Sequence, residues 1–359
     1  MALEFTAAVR RIPAYPAAAG YGEQGPLVRL ASNESPDPPL AEVVAAASAA
    51  VAEVNRYPDP TNSRLRAALS QRYGVPASNI AVGNGSCDLL MTACDALLEP
   101  GAELIYGWPS FSIYPQLAAS TGASAIEVPL DPHERLDLEA MAREITVATR
   151  LVIACNPNNP TSTALPLESL AALAERVPAG VCLIVDEAYR EFNLLEDPDA
   201  TVDLLGEHPN LVLLRTFSKV HALAGLRVGF ALCGSHELPE ALSQLRQPFF
   251  LNAAAQAAAI ESLKHQDEVA RRVERVAVAR VQVIEALRDM GLEPADSHAN
   301  FCWFDLGEGR DEKAIVDGLA QQGVLVRSGA ALGKEGALRV SFGSPSENAR
   351  FLEVLATLL

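Results

Sequence analysis

Short runs of consecutive apolar residues are the feature that most constrains how this chain folds. The apolar residues in these runs follow one another without alternation, which is typical of strands covered on both faces of a sheet. Segments rich in Ala and Leu, with helical periodicity, separate the runs. We therefore predict an α/β fold with a mostly parallel central sheet and helices on both sides. The predicted strands are NIAVG (79–83), ELIY (103–106), RLVIAC (150–155), VCLIVDEA (181–188), NLVLLRTF (210–217) and LRVGFALC (226–233).

The pattern changes near Pro248. A long Ala/Arg/Glu segment from Ala253 to about Met290 predicts one extended helix, which Gly291 and Pro294 end. These patterns and those that follow predict a smaller α+β domain. Its further predicted elements are a strand at 299–306, a helix near 311–320, strands at 324–328 and 337–343, and a C-terminal helix opened by Ser344 and Pro345.

The chain thus divides into three predicted parts. Residues 1–35 are predicted to form an N-terminal arm, because the stretch PAYPAAAGYG is rich in Pro and Gly and does not indicate a packed element. Residues 36–247 form a large domain around the parallel sheet, with an amphipathic helix at 41–53. Residues 248–359 form the small domain.

Charge and composition narrow the classes of partner. The chain has 28 Lys and Arg against 45 Asp and Glu, and its net charge of −17 would repel phosphate backbones and anionic lipids. We therefore expect small-molecule ligands, with no nucleic-acid and no membrane partner. The N-terminal stretch MALEFTAAVRRIPAY has no apolar run typical of a signal peptide, and the six cysteines are scattered without a CxxC pair. These features predict a cytoplasmic protein with reduced, buried cysteines.

The stretch TFSKVHALAGLRVG (216–229) carries the most chemistry. Lys219 follows a predicted buried strand and two hydroxyl residues, Thr216 and Ser218, and Arg227 lies eight residues further on. A lysine at the mouth of an apolar sheet loses solvation, which lowers its pKa and makes its amine nucleophilic toward an aldehyde. The hydroxyls and the guanidinium would suit a phosphate group.

Two other motifs place polar groups at the ends of predicted strands. Asp186 ends the strand in VDEAYREF, and its carboxylate would therefore face the crevice in which parallel sheets bind ligands. Opposite a pyridinium nitrogen it would keep that ring protonated and able to accept electrons. In NPNNPTST (156–163), the amide of Asn159 could bond a ring oxygen.

The order NPNNPT, DEAY, SK and LAGLRVG resembles the fold-type I pyridoxal-phosphate-dependent aminotransferases. Within them the chain is most similar to the histidinol-phosphate aminotransferase group and its relatives, the bacterial aromatic (phenylalanine) aminotransferases. The resemblance runs from LASNESPDPP (30–39) through RYPDP (56–60) to LRVSFG (338–343). It implies a three-layer aminotransferase fold, pyridoxal 5'-phosphate as cofactor, and amino and oxo acids as substrates.

The resemblance also implies roles for single residues. Lys219 would form an aldimine with the cofactor aldehyde and shuttle the proton between the substrate α-carbon and the cofactor. Asp186 would pair with the ring nitrogen, Asn159 and Tyr189 with the ring hydroxyl oxygen, and the ring of Phe111 would stack on the pyridine face. The phosphate would bind to Gly85, Ser86, Cys87, Thr216, Ser218 and Arg227, at a helix start whose free N–H groups favour anions.

Further residues complete the implied site. Tyr57 would reach the phosphate from a partner subunit, which implies a homodimer with shared active sites. The residues implied to bind substrate are Asn33, Tyr21, Phe249, Arg327 and Arg339. Two positions depart from the usual pattern of the group: Ser162 replaces a glycine, where a positive φ would cost some free energy, and Cys87 replaces an aspartate.

The sequence disfavours several alternative functions and leaves one of them open. GNGSCD (83–88) lacks the third glycine of a dinucleotide motif, which disfavours a dehydrogenase. The dispersed histidines predict no metal site. A non-enzymatic, cofactor-binding regulator would need a basic DNA-binding domain that this chain lacks. A decarboxylase on the same fold stays open, because the sequence does not show which substrate bond lies perpendicular to the ring.

The substrate prediction depends on three phenylalanines. Phe111, Phe249 and Phe250 stand where histidinol-phosphate enzymes commonly carry tyrosines, and losing a hydroxyl favours an apolar aromatic side chain over a phosphate. We therefore predict an aromatic amino acid as donor and 2-oxoglutarate as acceptor. Histidinol phosphate is the alternative donor, because two guanidiniums, Arg327 and Arg339, suit a dianion.

Overall fold

The computed structural model describes residues 3–12 and 27–359. The strands are β1 (Val28–Arg29), β2 (Ile80–Gly83), β3 (Glu103–Trp108), β4 (Ser124–Pro129), β5 (Thr149–Cys155), β6 (Cys182–Asp186), β7 (Leu211–Thr216), β8 (Gly229–Cys233), β9 (Glu293–Pro294), β10 (Phe301–Asp305), β11 (Val324–Leu325), β12 (Arg327–Ser328) and β13 (Ala337–Ser341). The helices are α1 (Ala7–Arg11), α2 (Ala41–Val51), α3 (Ser63–Tyr73), α4 (Ser86–Leu97), α5 (Tyr114–Thr121), α6 (Leu138–Arg143), α7 (Leu167–Arg176), α8 (Glu237–Leu245), α9 (Ala253–Ser262), α10 (Gln266–Asp289), α11 (Glu312–Gln321) and α12 (Pro345–Leu358).

Strands β2 to β8 form one sheet in the order β2-β8-β7-β6-β5-β3-β4. Strands β3, β4, β5, β6 and β7 pair in parallel, whereas β8 is antiparallel to both of its neighbours. The predicted mostly parallel sheet is therefore confirmed, and each predicted run overlaps one of its strands. Strand β4 is not among the predicted strands, because it lies at the edge of the sheet and most of its residues are at least partly exposed.

Apolar layers cover both faces of this sheet. Ile184 and Leu214 belong to one buried cluster, and their chain neighbours Val185 and Leu213 belong to another. Consecutive residues of one strand therefore enter different cores, which explains why the strands show continuous rather than alternating apolar character. The result is the predicted three-layer α/β arrangement.

A second, antiparallel sheet has the order β12-β13-β10-β9. Its core includes Phe301, Phe304 and Leu338, which pack with residues of α10 and α12. The strand predicted at 324–328 is split at Val326: β11 pairs in parallel with β1, and β12 pairs with β13. The apolar run at 324–328 predicts extended backbone, but it does not predict that its two halves join different sheets.

The prediction of a single helix from Ala253 to Met290 is wrong. The structure has two helices there, α9 and α10, and His265 between them departs from helical geometry with φ −106° and ψ 55°. The alanines of α9 pack in the core beside the large sheet, whereas α10 packs against the small one. Because the two helices serve different cores, the chain turns between them. The domain boundary at 247/248 stays a prediction.

The end of the predicted arm is packed. Leu30 and Asn33 are each 1% exposed, and Leu30 donates from its backbone nitrogen to Leu325 while its carbonyl oxygen accepts from Ser341. We name residues 30–34 the strap, because they run from the small sheet toward the large one.

Among the described residues, all six cysteines are free thiols, and Cys87 and Cys182 are only half-buried. Within residues 3–12 and 27–359, no helix has both the length and the apolar character needed to cross a bilayer.

Candidate active site

A cavity of about 390 Å³ opens at the carboxyl ends of β5, β6 and β7. Parallel sheets bind ligands at this edge, and the volume suits a small molecule. The structure brings most of the sequence-predicted site residues together in its wall. These are Asn33, Ser86, Cys87, Phe111, Asn159, Asp186, Tyr189, Thr216, Ser218, Lys219, Arg227, Arg327 and Arg339.

Other predicted site residues lie elsewhere. Gly85 adjoins the cavity as the residue before α4. Phe249, which is predicted to contact substrate, is not among the residues that line the cavity of its own chain; its ring stacks on Tyr57 with 4.4 Å between centroids, and its substrate contact stays a prediction. The positive φ of Phe249, 61°, turns the chain at this point. Tyr57 is 82% exposed and is absent from the cavity wall of its own chain, and Tyr21 lies outside the described residues.

Lys219 follows β7 and extends its side chain into the cavity. Its Nζ donates a hydrogen bond to the strap carbonyl of Ser32 at 3.1 Å. Burial and, to a smaller extent, the positive charge of Arg339 together lower the pKa of Lys219 to about 7. A large fraction of this amine is therefore neutral near pH 7, as a nucleophile or a proton acceptor requires.

Asp186 ends β6 and is 2% exposed. Its Oδ2 accepts a hydrogen bond from the hydroxyl of Tyr114 at 2.9 Å, and its Oδ1 accepts from the backbone nitrogen of Ala188 at 3.3 Å. Burial raises the pKa of Asp186 to about 6, while the Tyr114 hydrogen bond opposes that rise. The carboxylate is thus negative at neutral pH in a dry part of the cavity.

Glycines shape a cup beside the start of α4. Helix α4 begins after Gly85, which has φ +83° and gives its N-terminus no side-chain cap. A Cβ on Gly229 would lie 2.6 Å from the backbone nitrogen of Ser86 and 2.7 Å from the carbonyl carbon of Gly85. Only glycine therefore allows β8 to approach the helix start this closely.

Hydroxyl and guanidinium groups surround the same cup. The hydroxyl of Thr216 donates to that of Ser218 at 2.9 Å. Arg227 has φ 59°, and its guanidinium donates to the carbonyl oxygen of Ala224 at 3.0 Å. Uncapped N–H groups, hydroxyls and a guanidinium form a donor set that fits a phosphate dianion.

Arg339 on β13 joins the small sheet to the large one. Its Nη1 donates to Oδ1 of Asn159 at 2.5 Å, and its Nη2 donates to the strap carbonyl of Ala31 at 2.6 Å. Arg327 is its register partner on β12, so the two side chains share one face of the small sheet. Two guanidiniums therefore face the cavity from one side.

Tyr189 completes this wall of the cavity. Its hydroxyl accepts a hydrogen bond from Nδ2 of Asn33 at 3.1 Å, and its ring centroid lies 5.6 Å from the Nζ of Lys219. Asn33 adopts φ 54°. Its Oδ1 accepts a hydrogen bond at 3.1 Å from the hydroxyl of Ser341, which lies on the small sheet. The strap therefore links Tyr189 to the small sheet.

Several residues of the site escape the sequence analysis. Tyr114, which contacts Asp186, carries the clearest missed signal, because it is a tyrosine three residues after the predicted stacking residue Phe111. The strap residues next to Asn33 and a leucine of the small domain carry no chemical signal of their own. The missed cavity residues of these two kinds are Ala31, Ser32, Glu34 and Leu332.

Ser162 adopts the positive φ expected of the position where the group commonly has glycine. Its φ is 62°, it is fully buried, and its hydroxyl donates to the carbonyl oxygen of Thr161 at 2.5 Å. Its own carbonyl oxygen accepts from the backbone nitrogen of His298 at 2.7 Å. The turn is therefore retained with serine, and local hydrogen bonds hold it.

Comparison with known proteins agrees with this geometry. Residues 25–355 match the family model for aminotransferase class I and II. The chain is 43% identical to an aromatic amino acid aminotransferase of Streptomyces coelicolor, over 96% of this chain and 94% of that protein. It is 40% identical to histidinol-phosphate aminotransferase 2 of Ralstonia nicotianae, over 94% of this chain and 90% of that protein.

A solved structure shows the same fold. Histidinol-phosphate aminotransferase from Sinorhizobium meliloti, in complex with pyridoxal-5'-phosphate, matches with a TM-score of 0.87 and 29% identity, over 99% of this chain and 98% of that one. The family match, the relatives and the fold agree over nearly the whole chain. This chain therefore belongs to the class I and II aminotransferases and is an aminotransferase.

Proposed function

We propose that this aminotransferase uses pyridoxal 5'-phosphate and transfers an amino group from an aromatic amino acid to 2-oxoglutarate. One observation carries the cofactor proposal: Lys219, with its lowered pKa, and the buried carboxylate of Asp186 line the same cavity as the glycine-shaped cup at α4. When bound, pyridoxal phosphate supplies an aldehyde that bonds amines and a ring that draws electrons from the substrate α-carbon.

The cavity residues fit that cofactor from both ends. The cup formed by Ser86, Cys87 and Arg227 would bind its phosphate, with the hydroxyls of Thr216 and Ser218. Asp186 would bind its protonated ring nitrogen, because a buried carboxylate is stabilised by a positive partner. Asn159 would donate to the ring oxygen from its amide nitrogen, since its amide oxygen already accepts from Arg339. Tyr189 and Phe111 would complete the enclosure of the ring.

Lys219 would hold the cofactor and move the proton. Its Nζ would take up a proton from the α-carbon of the donor and later release it. A pKa of about 7 suits both directions, since a catalytic group works best when its pKa lies near the working pH. Arg339 would bind the carboxylate of the substrate and so place the α-carbon beside this amine.

Two observations support the aromatic donor. Phe111 and Leu332 give the cavity apolar surface, and the relative from Streptomyces coelicolor bears the name aromatic amino acid aminotransferase. Phe249 no longer contributes to this argument, because it lies outside the cavity wall.

Histidinol phosphate is the second candidate donor. Arg327 and Arg339 are neighbours on one face of the small sheet, and a pair of guanidiniums suits a phosphate dianion. The relative from Ralstonia nicotianae is named histidinol-phosphate aminotransferase 2. The two candidate donors therefore differ in what they require of Arg327.

The cofactor proposal is tested by trapping the lysine linkage. We expect the purified protein to absorb visible light when pyridoxal phosphate is added and to retain the label after borohydride reduction. Lys219→Ala should lose both signals, and Lys264→Ala, which removes an exposed lysine, should keep them. A borohydride-stable label on the Lys219→Ala protein would contradict the assignment.

The donor is tested by comparing single-turnover rates on one preparation. We expect phenylalanine to react faster than histidinol phosphate, and Arg327→Met to change the phenylalanine rate less than the histidinol phosphate rate. If histidinol phosphate reacts at least about tenfold faster with the unaltered protein, the second candidate replaces the first.

We also propose a homodimer with shared active sites. Tyr57 is 82% exposed and Phe249 is 38% exposed, and their stacked rings form an aromatic surface outside the cavity wall of their own chain. Tyr57 would reach the phosphate cup of the partner subunit. Mixing Lys219→Ala chains with Tyr57→Ala chains should then restore one complete site per mixed dimer, seen as recovered cofactor affinity; no recovery in mixed dimers would contradict shared sites.

A further inference from the structure

A second buried side chain accompanies the carboxylate of Asp186. Tyr114 is fully buried at the first position of α5, and its hydroxyl lies 2.9 Å from Oδ2 of Asp186. These two residues are 72 positions apart in the chain, so only the packing of α5 against the sheet brings them together. The resemblance that identified the other cavity residues assigns nothing to Tyr114.

Tyr114 is held rigidly in this position. Its backbone nitrogen donates to the carbonyl oxygen of Phe111 at 3.0 Å, and its ring meets that of Phe111 edge to face with 5.8 Å between centroids. On another side it packs against the ring of Tyr106, with 5.6 Å between centroids. The hydroxyl therefore points at Asp186 without losing further side-chain freedom when a ligand binds.

The hydrogen bond has a fixed direction. Burial raises the pKa of Tyr114 well above its usual value, and the nearby charge of Asp186 raises it further. The hydroxyl thus keeps its proton and acts as donor, so Asp186 is the acceptor. With the backbone nitrogen of Ala188 on Oδ1, each carboxylate oxygen receives one hydrogen bond, which favours the ionised form.

Other groups around Asp186 have mixed effects on its charge. Glu187, the residue directly after β6, raises the pKa of Asp186, and Lys219 lowers it. The thiols of Cys155 and Cys87 face the same carboxylate from β5 and α4, and burial raises the pKa of each thiol. Among the groups that lower the pKa of Asp186, Tyr114 has the largest effect.

We propose that Tyr114 is a positioning residue for the cofactor: its hydroxyl holds the Asp186 carboxylate in place, and negatively charged, for the ring nitrogen. This inference rests on the proposed function, because it takes pyridoxal phosphate as the group that Asp186 meets. Tyr114 acts through Asp186 and needs no contact with the cofactor itself. Without the hydroxyl, Asp186 would take up a proton at higher pH and bind the ring less well.

The test separates this effect from the lysine linkage. Pyridoxamine phosphate lacks the aldehyde, so its binding to the Lys219→Ala protein reports on the ring and phosphate contacts alone. In this background we measure its dissociation constant between pH 5 and 8. Affinity should fall on the acid side as Asp186 becomes protonated, and Tyr114→Phe should move the midpoint of that fall upward by about one pH unit.

The chain offers a matched control for loss of a buried hydroxyl. Tyr106 is also fully buried, and its hydroxyl donates to Oε1 of Glu127 at 2.9 Å, away from the cavity wall. Tyr106→Phe in the same background should leave the midpoint unchanged. Asp186→Asn should reduce the acid-side fall to the part that comes from protonation of the ligand phosphate, and the difference identifies the contribution of Asp186 even if Tyr114→Phe folds poorly.

The outcomes distinguish the two proposals. If Lys219→Ala fails to bind pyridoxamine phosphate at every pH, the proposed cofactor is wrong and this inference falls with it. If binding occurs but Tyr114→Phe and Tyr106→Phe show the same midpoint, the positioning role alone is overturned. A shift confined to Tyr114→Phe supports it.

Discussion

Arg339 on the small sheet donates to Asn159 in the loop that follows β5 of the large sheet, with 2.5 Å between Nη1 and Oδ1. We propose that Arg339 binds the substrate carboxylate and that Asn159 binds the cofactor. The two residues are thus hydrogen-bonded to each other, although 180 positions separate them in the chain. Binding of a substrate carboxylate at Arg339 would therefore affect Asn159, the residue that we propose binds the cofactor ring oxygen. This contact also ties the two sheets together across the cavity.

Arg339→Ala should lower kcat/KM for phenylalanine by about 100-fold, because it removes a buried charge that binds the substrate carboxylate. Arg339→Lys should cost about tenfold, since lysine keeps the charge but loses the planar fork. Phenethylamine, which has no carboxylate, is the control donor and should be much less affected. Equal losses for both donors would show that Arg339 does not bind the carboxylate.

Lys219 should destabilise the cofactor-free protein at neutral pH. Its pKa falls from 10.5 to about 7 on folding, so the unfolded chain binds more protons between these values and stability rises with pH across that window. Lys219→Met should therefore increase the free energy of unfolding by roughly 2 kcal/mol at pH 7, allowing for the partial exposure of the side chain. The gain should shrink toward pH 10.

Urea unfolding at several pH values measures this difference. The exposed Lys264 is the control, and Lys264→Met should change stability by less than about 0.5 kcal/mol at any of these pH values. A Lys219→Met gain that stays constant up to pH 10 would mean that packing, not the charge of the amine, is responsible.

Gly229→Ala should damage the phosphate cup. The added Cβ would meet backbone atoms of Ser86 and Gly85 at 2.6 Å and 2.7 Å, and backbone cannot move aside as a flexible side chain can. We expect a loss of about 1–3 kcal/mol in stability and at least about tenfold weaker binding of pyridoxal phosphate. Gly180→Ala, where a Cβ would meet nothing within 4 Å, should change neither quantity; equal effects of both substitutions would contradict the cup.

A buried ion pair lies on the opposite face of the sheet from Asp186. Arg215 donates from Nε to Oε2 of Glu187 at 2.8 Å, and the two side chains are 2% and 0% exposed. Arg215→Met should destabilise the protein by about 3–5 kcal/mol, because it leaves a buried carboxylate unpaired.

The matched control for this pair is on the surface. Arg350 pairs with Glu353 at 3.1 Å, with side-chain exposures of 39% and 70%, and Arg350→Met should cost less than about 1 kcal/mol in thermal or urea unfolding. Removing both buried partners with Arg215→Met and Glu187→Met together should recover part of the loss. No recovery would mean that the damage does not come from the unpaired charge of Glu187 but from packing or from Asp199, which Arg215 also binds at 2.7 Å.

Much of the site could be predicted from the sequence because its residues stand at strand ends. Asp186 and Thr216 close continuous apolar runs, and Lys219 follows one, so their meeting at one edge of a parallel sheet needs only the order of the strands. Phe249 shows the limit of such reasoning. Only the family resemblance predicts its contact with substrate, and in the structure its backbone has φ 61° and its ring stacks on Tyr57.

The amino-acid sequence alone determined six of the seven strands of the central sheet, its largely parallel pairing and the edge at which a ligand binds, since these depend on local apolar periodicity and on where strands end. Tertiary structure alone decided that Val326 divides two sheets, that the chain turns between α9 and α10, and that Tyr114 meets Asp186. Each of these depends on which distant surface a segment packs against. Periodicity along a chain records that a residue is buried, but not the partner that buries it.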